Sequence, residues 1–284
     1  MKVIATLNFK GGVGKTTVTW LLAKYLADRR DKSILVMDTD PQMSLTTSVY
    51  VGDSGMPDVR FNSWETEARR KGAILVNLMK EYAKGDHPDF SIDKSLFYQH
   101  RANFYVVPST EELYWYELEA PPVAKLRDFV RSFLAACEKI PDIPNFDYCL
   151  VDCPPAFNSL SFSVVWGANL ILIPITPDVF AARGLRIMLS GLKARLENLP
   201  KFIVFMNRAK LYRGRLTIES QQFLNEANIV AGTELKEGIP VRILNDIFIP
   251  ERVGIKRALA GRILPPDLET CLAELWDRVE KIPF

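Results

Sequence analysis

Residues 10–17 read KGGVGKTT, and their types and spacing suit the cradling of phosphate. Gly11, Gly12 and Gly14, with Val13 between them, let backbone N–H groups turn inward onto phosphate oxygens. A helix starting just behind them adds the positive end of its dipole. Lys15 is placed to bridge the β- and γ-phosphates of a nucleotide, the Thr16 hydroxyl to ligate Mg²⁺, and Thr17 completes the motif. Such a loop needs one lysine, yet Lys10 supplies a second just ahead of the first glycine.

Carboxylates follow at two strand ends. VMDTDPQ puts Asp38 and Asp40 after an apolar run. Residues two apart on a strand share a face, so both are expected to look toward bound phosphates. One can orient an attacking water while the other holds a metal's water shell. CLVDCPP adds Asp152 after three apolar residues, the pattern of a Walker B carboxylate facing Mg²⁺. Thr16, Asp40 and Asp152 form the candidate metal set, Lys10, Lys15, Asp38 and Asp40 the catalytic one, and ATP with Mg²⁺ the implied cofactors.

These residues need strand ends to carry them. Val3–Leu7 is a short β-rich run into the glycine loop, and Lys15–Arg29 has apolar residues at helical spacing. Residues 33–40, 102–110, 146–155, 170–177 and 201–207 read as further strands, most of them apolar on nearly every position, as strands covered on both faces are. Helices are expected over 64–84 and 122–139. Alternation of this kind predicts an α/β fold, a doubly wound, mostly parallel sheet flanked by helices, with its ligand at the carboxyl ends of the strands. The 284 residues are expected to form one domain, with the polar stretch 51–104 as a peripheral excursion.

Composition excludes more than it assigns. A net charge of +2 predicts no partner, so any nucleic-acid surface must come from local clustering. Four cysteines without a CxxC pair read as reduced thiols rather than a disulfide frame or metal site. The run VIATLNF is too short for the apolar region of a signal peptide, and no run approaches a membrane span, so a cytoplasmic chain is expected.

KGGVGKTT, DTDPQ and DYCLVDCPP together resemble the deviant Walker A, Walker A′ and Walker B motifs of ParA-type ATPases. LILIPITPDVFAARGL and IFIPERVGIKRALAGR are similar to later stretches of that family. The resemblance implies an ATP-dependent sandwich dimer that binds DNA without sequence preference, sits on the nucleoid, and hydrolyses ATP slowly until a cargo adaptor stimulates it. It implies that Lys10 reaches across the dimer to the other subunit's phosphates, and that Asp40 positions the attacking water with Asp38 beside it in the switch region. Charge supports this: Lys15 already serves its own phosphates, and a lysine supplied in trans neutralises γ-phosphate charge as an arginine finger does. The implied cargo is a plasmid, a chromosome or a protein organelle such as the carboxysome. One departure stands out, since Met43 and Ser44 follow DPQ where the family often has Gly-Asn.

Asn207, just past a strand, can donate to and accept from a purine edge, and Pro250 is expected to close the other side. Residues 201–262 hold eleven Lys/Arg against six Asp/Glu. Arg213, Arg215, Arg252, Lys256, Arg257 and Arg262 are the candidate DNA-phosphate contacts, with Lys256 and Arg257 standing in for an arginine that some relatives carry where Gly254 sits.

The same motifs also suit MinD-type membrane ATPases. The C-terminal stripe of Leu268, Cys271, Leu272, Leu275 and Val279 is backed by acidic residues, however, so it is expected to pack on the domain and not on anionic lipid. A small-molecule ligase such as dethiobiotin synthetase shares the expected fold but has no need of Lys10.

Overall fold

The computed structural model describes residues 1–51, 58–85, 90–251 and 264–283. The described strands are β1 (Lys2–Thr6), β2 (Ile34–Asp38), β3 (Tyr98–Arg101), β4 (Phe104–Val107), β5 (Tyr148–Asp152), β6 (Leu170–Ile175), β7 (Lys201–Ala209), β8 (Leu211–Tyr212), β9 (Arg215–Leu216) and β10 (Val241–Pro250). Eight of them form one sheet in the order β10-β7-β6-β1-β5-β2-β4-β3, while β8 and β9 make a separate hairpin. Pairing is parallel throughout the large sheet except between β3 and β4 at one edge.

The helices are α1 (Lys15–Arg29), α2 (Ser44–Val51), α3 (Val59–Lys71), α4 (Leu75–Tyr82), α5 (Glu111–Leu118), α6 (Val123–Leu126), α7 (Phe129–Cys137), α8 (Ser159–Gly167), α9 (Ala181–Lys193), α10 (Ile218–Lys236) and α11 (Pro266–Glu280). Strand residues alternate between two cores. Val3, Ala5, Cys149 and Val151 pack under α4 to α10. Ile4, Val36 and Leu150 pack under α1, α2, α3 and α11. This is the doubly wound, three-layered arrangement that the continuous apolar strands predict.

α1 runs over the predicted bounds and is buried from Val18 to Ala27, because the sheet lies on one side of it and α11 on the other. The apolar stripe of α11 is used up inside the protein: Leu268, Leu272, Leu275, Trp276 and Val279 are buried, and Arg29–Glu269 and Arg30–Asp277 ion pairs tie it to α1. Truncating a fully buried tryptophan such as Trp276 to alanine costs about 3–5 kcal/mol. No helix among the described residues is long and apolar enough to cross a membrane.

Both long helices expected from the sequence are broken. Residues 64–84 divide at Gly72, whose φ of 68° ends α3 in a left-handed cap. Residues 122–139 divide because the Ser163 hydroxyl wedges in, accepting from Val130 N at 3.0 Å and donating to Arg127 O at 3.1 Å. A side chain inserted in this way replaces the helix's own ladder and separates α6 from α7. The stretch 51–104 adds α3, α4 and the antiparallel edge strand β3, joined by ring contacts of Phe61 with Tyr50, Trp64 and Tyr98.

Candidate functional site

β1 lies between β5 and β6, and the loop after it leads into α1, so the glycine loop sits at the carboxyl edge of the sheet. Gly12 and Gly14 have φ of 74° and 92°, a region that suits glycine. A Cβ on Gly14 would also collide with the Asn207 side chain. Asn8 anchors the loop from below: its amide donates to Pro174 O at 2.9 Å and its carbonyl accepts from Lys10 N at 2.9 Å.

Lys15 is buried and its Nζ donates to Lys10 O at 3.2 Å. Burial lowers its pKa, against the opposing pull of Asp152 and then Asp40. Asp152 is fully buried, and neither of its oxygens has a well-formed partner among the described residues. Burial drives its carboxyl well above the usual range, the Asp38 charge adds to this, and the Thr16 hydroxyl works against it. An orphaned carboxylate beside a threonine hydroxyl is a hard-oxygen donor set, and it fits Mg²⁺ that takes its other ligands from phosphate and water.

Asp38 is Asp152's register partner on the next strand. Its Oδ2 accepts from Thr46 N at 2.9 Å and Thr46 Oγ1 at 2.7 Å, and its Oδ1 accepts from Asp40 N at 3.1 Å. Burial pushes it up to about 6 in spite of these bonds. β2 ends at Asp38, so strand alternation does not extend to Asp40, which lies in the following turn and accepts from Gln42 N at 2.9 Å. The Asp40 charge acts on both Asp38 and Asp152, so the three carboxylates lie at one site. Asp40 and Asp152 act on Lys15, and Asp38 ties the turn to α2. In that turn Met43 has φ 54°, so the position where the family often has glycine does adopt the left-handed region.

Lys10 is 40% exposed, and its Nζ lies 2.5 Å from Asp178 Oδ2 in the loop between β6 and α9. Asp178 was not singled out in the sequence, because 167 residues separate it from the glycine loop and no spacing rule links them. Thr46 and Arg208 escaped notice for the same reason. Arg208 has φ 54°, pairs with Glu251, and donates from Nη1 to Gly12 O at 3.2 Å, clamping the loop from the β7 side.

Asn207 is buried, and its Nδ2 donates to Val13 O at 2.7 Å. One of the two N–H donors of its amide is therefore engaged by the loop. Pro250 ends the neighbouring strand, where Ile249 pairs with Asn207 and Pro250 with Ala209. Arg213 and Arg215 are exposed on the β8–β9 hairpin, whose turn is made by Arg213 and Gly214 at φ 50° and 77°. With Tyr212 and Ile218 they line a surface cleft of about 760 Å³. Arg252, Lys256, Arg257 and Arg262 lie outside the described residues.

The phosphate loop between β1 and α1, the aspartates at the ends of β2 and β5 and the parallel sheet that carries them make up a P-loop fold of the ParA/MinD type. The chain belongs to the family described as AAA domain, whose model matches residues 1–203. It is 32% identical over 206 residues to a putative replication protein A of Rhizobium rhizogenes, covering 70% of this chain and 46% of that one. It is 28% identical over 187 residues to the chromosome partitioning protein ParA of Caulobacter vibrioides, covering 65% and 60%. The aligned part therefore spans about half of each relative's length. Among solved structures, the Cyanothece McdA(D38A)–ATP complex superposes with a TM-score of 0.71 at 21% identity, covering 100% of this chain and 98% of that one.

Proposed function

We propose that this chain is an ATP-hydrolysing positioning switch of the ParA kind. ATP and Mg²⁺ fill the loop, two chains close face to face, and the dimer holds DNA of any sequence until a cargo-bound adaptor triggers hydrolysis. The observation that carries this reading is the division of labour between two lysines of one loop. Lys15 is buried against Asp152 and Asp40, while Lys10 stands exposed at the rim beside Asp178, within reach of another molecule's phosphates in this reading.

In this reading Lys15 holds the β- and γ-phosphate oxygens, and the backbone of Gly11 to Gly14 donates to them. Asp40 orients the attacking water. Asp38 acts indirectly, fixing the turn that carries Asp40 through its bonds to Thr46 and Asp40 N. Thr16 and Asp152, with Asp40 at the margin of the set, would hold Mg²⁺, which supplies charge neutralisation at the transferring phosphoryl group. Asn207 keeps its carbonyl oxygen for the adenine amino group, and Pro250 bounds the other side.

Arg213 and Arg215 support the DNA part, since an exposed hairpin bearing two guanidinium groups suits phosphate contact without base readout. Dimerisation presents the hairpin twice and so makes weak contacts ATP-dependent. The cargo, a plasmid, a chromosome or a protein organelle, is set by the adaptor, and the site of action is the nucleoid in the cytoplasm. Gel filtration and gel shift at low salt test both parts. ATP, and not ADP, is expected to give dimer and a DNA shift that Arg213→Ala/Arg215→Ala weakens alike on unrelated sequences. DNA binding indifferent to nucleotide would remove the nucleoid role. ATP-dependent dimer persisting in Lys10→Ala would remove the in-trans lysine.

A further inference from the structure

We infer that Arg208 is a positioning residue for nucleotide binding: it holds the Gly12 carbonyl outward and so turns the Val13 N–H into the phosphate cradle, with Glu251 keeping its guanidinium in place. The inference rests on the glycine loop as the nucleotide site and is independent of the dimer and of DNA.

An irregularity in the sheet puts Arg208 there. On β10, Ile249 lies opposite Asn207 and Pro250 opposite Ala209, so Arg208 is an extra residue with no place in the ladder. Its φ of 54° is left-handed, a conformation that a residue with a side chain adopts only at a cost. Bulges of this kind re-aim a side chain. The guanidinium reaches two oxygens: Nη1 donates to Gly12 O at 3.2 Å, while Nε and Nη2 donate to Glu251 Oε1 at 3.0 and 2.5 Å. Glu251 is tied to the same bulge, its N donating to Ala209 O at 3.1 Å.

The residue before it serves the next peptide of the loop. Asn207 Nδ2 donates to Val13 O at 2.7 Å. In a trans peptide the C=O and the following N–H point opposite ways. Holding Gly12 O and Val13 O on the β7 side therefore directs the N–H groups of Val13 and Gly14 to the other side, where the loop cradles phosphate. Two consecutive residues at one strand end thus aim two consecutive donors. The loop is ordered before nucleotide arrives, and that preorganisation strengthens binding. The phosphates cradled by this part of the loop are common to ATP and ADP, so the loss of Arg208 falls on both.

The test is isothermal titration calorimetry with MgADP, which lacks the γ-phosphate on which dimerisation depends in the proposed reading. Wild type, Arg208→Ala, Arg208→Gly, Glu251→Ala and Arg208→Gly/Glu251→Ala are compared, and the melting temperature of each is taken without ligand. Arg208→Ala and Arg208→Gly are both expected to bind MgADP about ten-fold more weakly than wild type. Glu251→Ala is expected to lose less, and to add nothing in the Arg208→Gly background. Without ligand, Arg208→Gly is expected to melt above Arg208→Ala, because glycine accepts the left-handed φ, and yet to bind no more tightly. A residue that merely supports the fold would restore affinity along with stability. Affinity in both variants within about two-fold of wild type overturns the inference, and so does affinity lost in Arg208→Ala but recovered in Arg208→Gly. Wild type failing to bind MgADP would remove the nucleotide reading of the loop itself, and the inference with it.

Discussion

Asp38 and Asp152 stand side by side in register at the ends of β2 and β5, both fully buried, yet only one has its oxygens satisfied. Asp38 takes three hydrogen bonds from Thr46 and Asp40, and Asp152 takes none that are well formed among the described residues. Burial, and the Asp38 charge beside it, push the Asp152 carboxyl toward its neutral form, a cost that a divalent cation would offset.

Replacing Asp152 by asparagine removes a buried carboxyl that the unfolded chain ionises freely at neutral pH and the folded chain resists ionising. The nucleotide-free variant is expected to melt about 2–4 °C above wild type. It is also expected to lose the extra thermal stabilisation that Mg²⁺ adds to ATP. Differential scanning calorimetry with ATP alone, Mg²⁺ alone and both together separates the two effects. A variant less stable than wild type without ligand would contradict the charge argument.

Met43 carries a side chain at φ 54° in the turn that holds Asp40. Met43→Gly is expected to gain about 0.5–1 kcal/mol in urea unfolding by removing the left-handed penalty, less whatever the half-buried side chain contributes. ATP turnover is expected to change with it, since the same turn positions Asp40. Unchanged stability would mean that packing of the Met43 side chain balances the backbone cost.

The Asn207 amide spends one of its N–H donors on Val13 O, so the side chain serves the loop as well as any base it meets. Asn207→Ala is expected to weaken binding of both ATP and GTP by loosening the loop, and to weaken ATP more. Equal losses, read by competition with a fluorescent nucleotide, would leave Asn207 with the loop role alone.

Glu117 on α5 is pushed up to about 7 by burial, and its Oε1 has no hydrogen-bond partner among the described residues. The folded chain thus keeps a proton that the unfolded chain releases near the ordinary 4.5. Stability from this group is therefore lost as pH rises from about 4.5 to 7. Glu117→Gln is expected to match wild type at pH 4 and to melt higher at pH 8, flattening the profile of melting temperature against pH. Parallel profiles for the two proteins would refute this.

What the sequence made legible is what it encodes locally. KGGVGKTT states its own backbone requirements, so the loop and the bounds of α1 can be read directly, and apolar runs mark the central strands. The Ser163 wedge between α6 and α7 is invisible because it reaches in from 33 residues away. Asp178 and Arg208 are hidden for the same reason, each touching the loop only after the sheet brings β6 and β7 beside β1. Strand alternation cannot by itself place Asp40, because β2 ends two residues before it, at Asp38.

The central position of β1 also bears on the order of events during synthesis. Its residues are made before its neighbours in the sheet, which are β5, with Thr6 opposite Asp152, and β6, with Thr6 opposite Leu172. A parallel strand cannot be held until both flanks exist, and such distant pairings form slowly. The glycine loop therefore stays an unanchored segment, unable to grip a nucleotide, until β5 and β6 have been made. A nascent chain stalled before β5 is emitted should be blind to ATP, and one stalled after β6 the first able to respond.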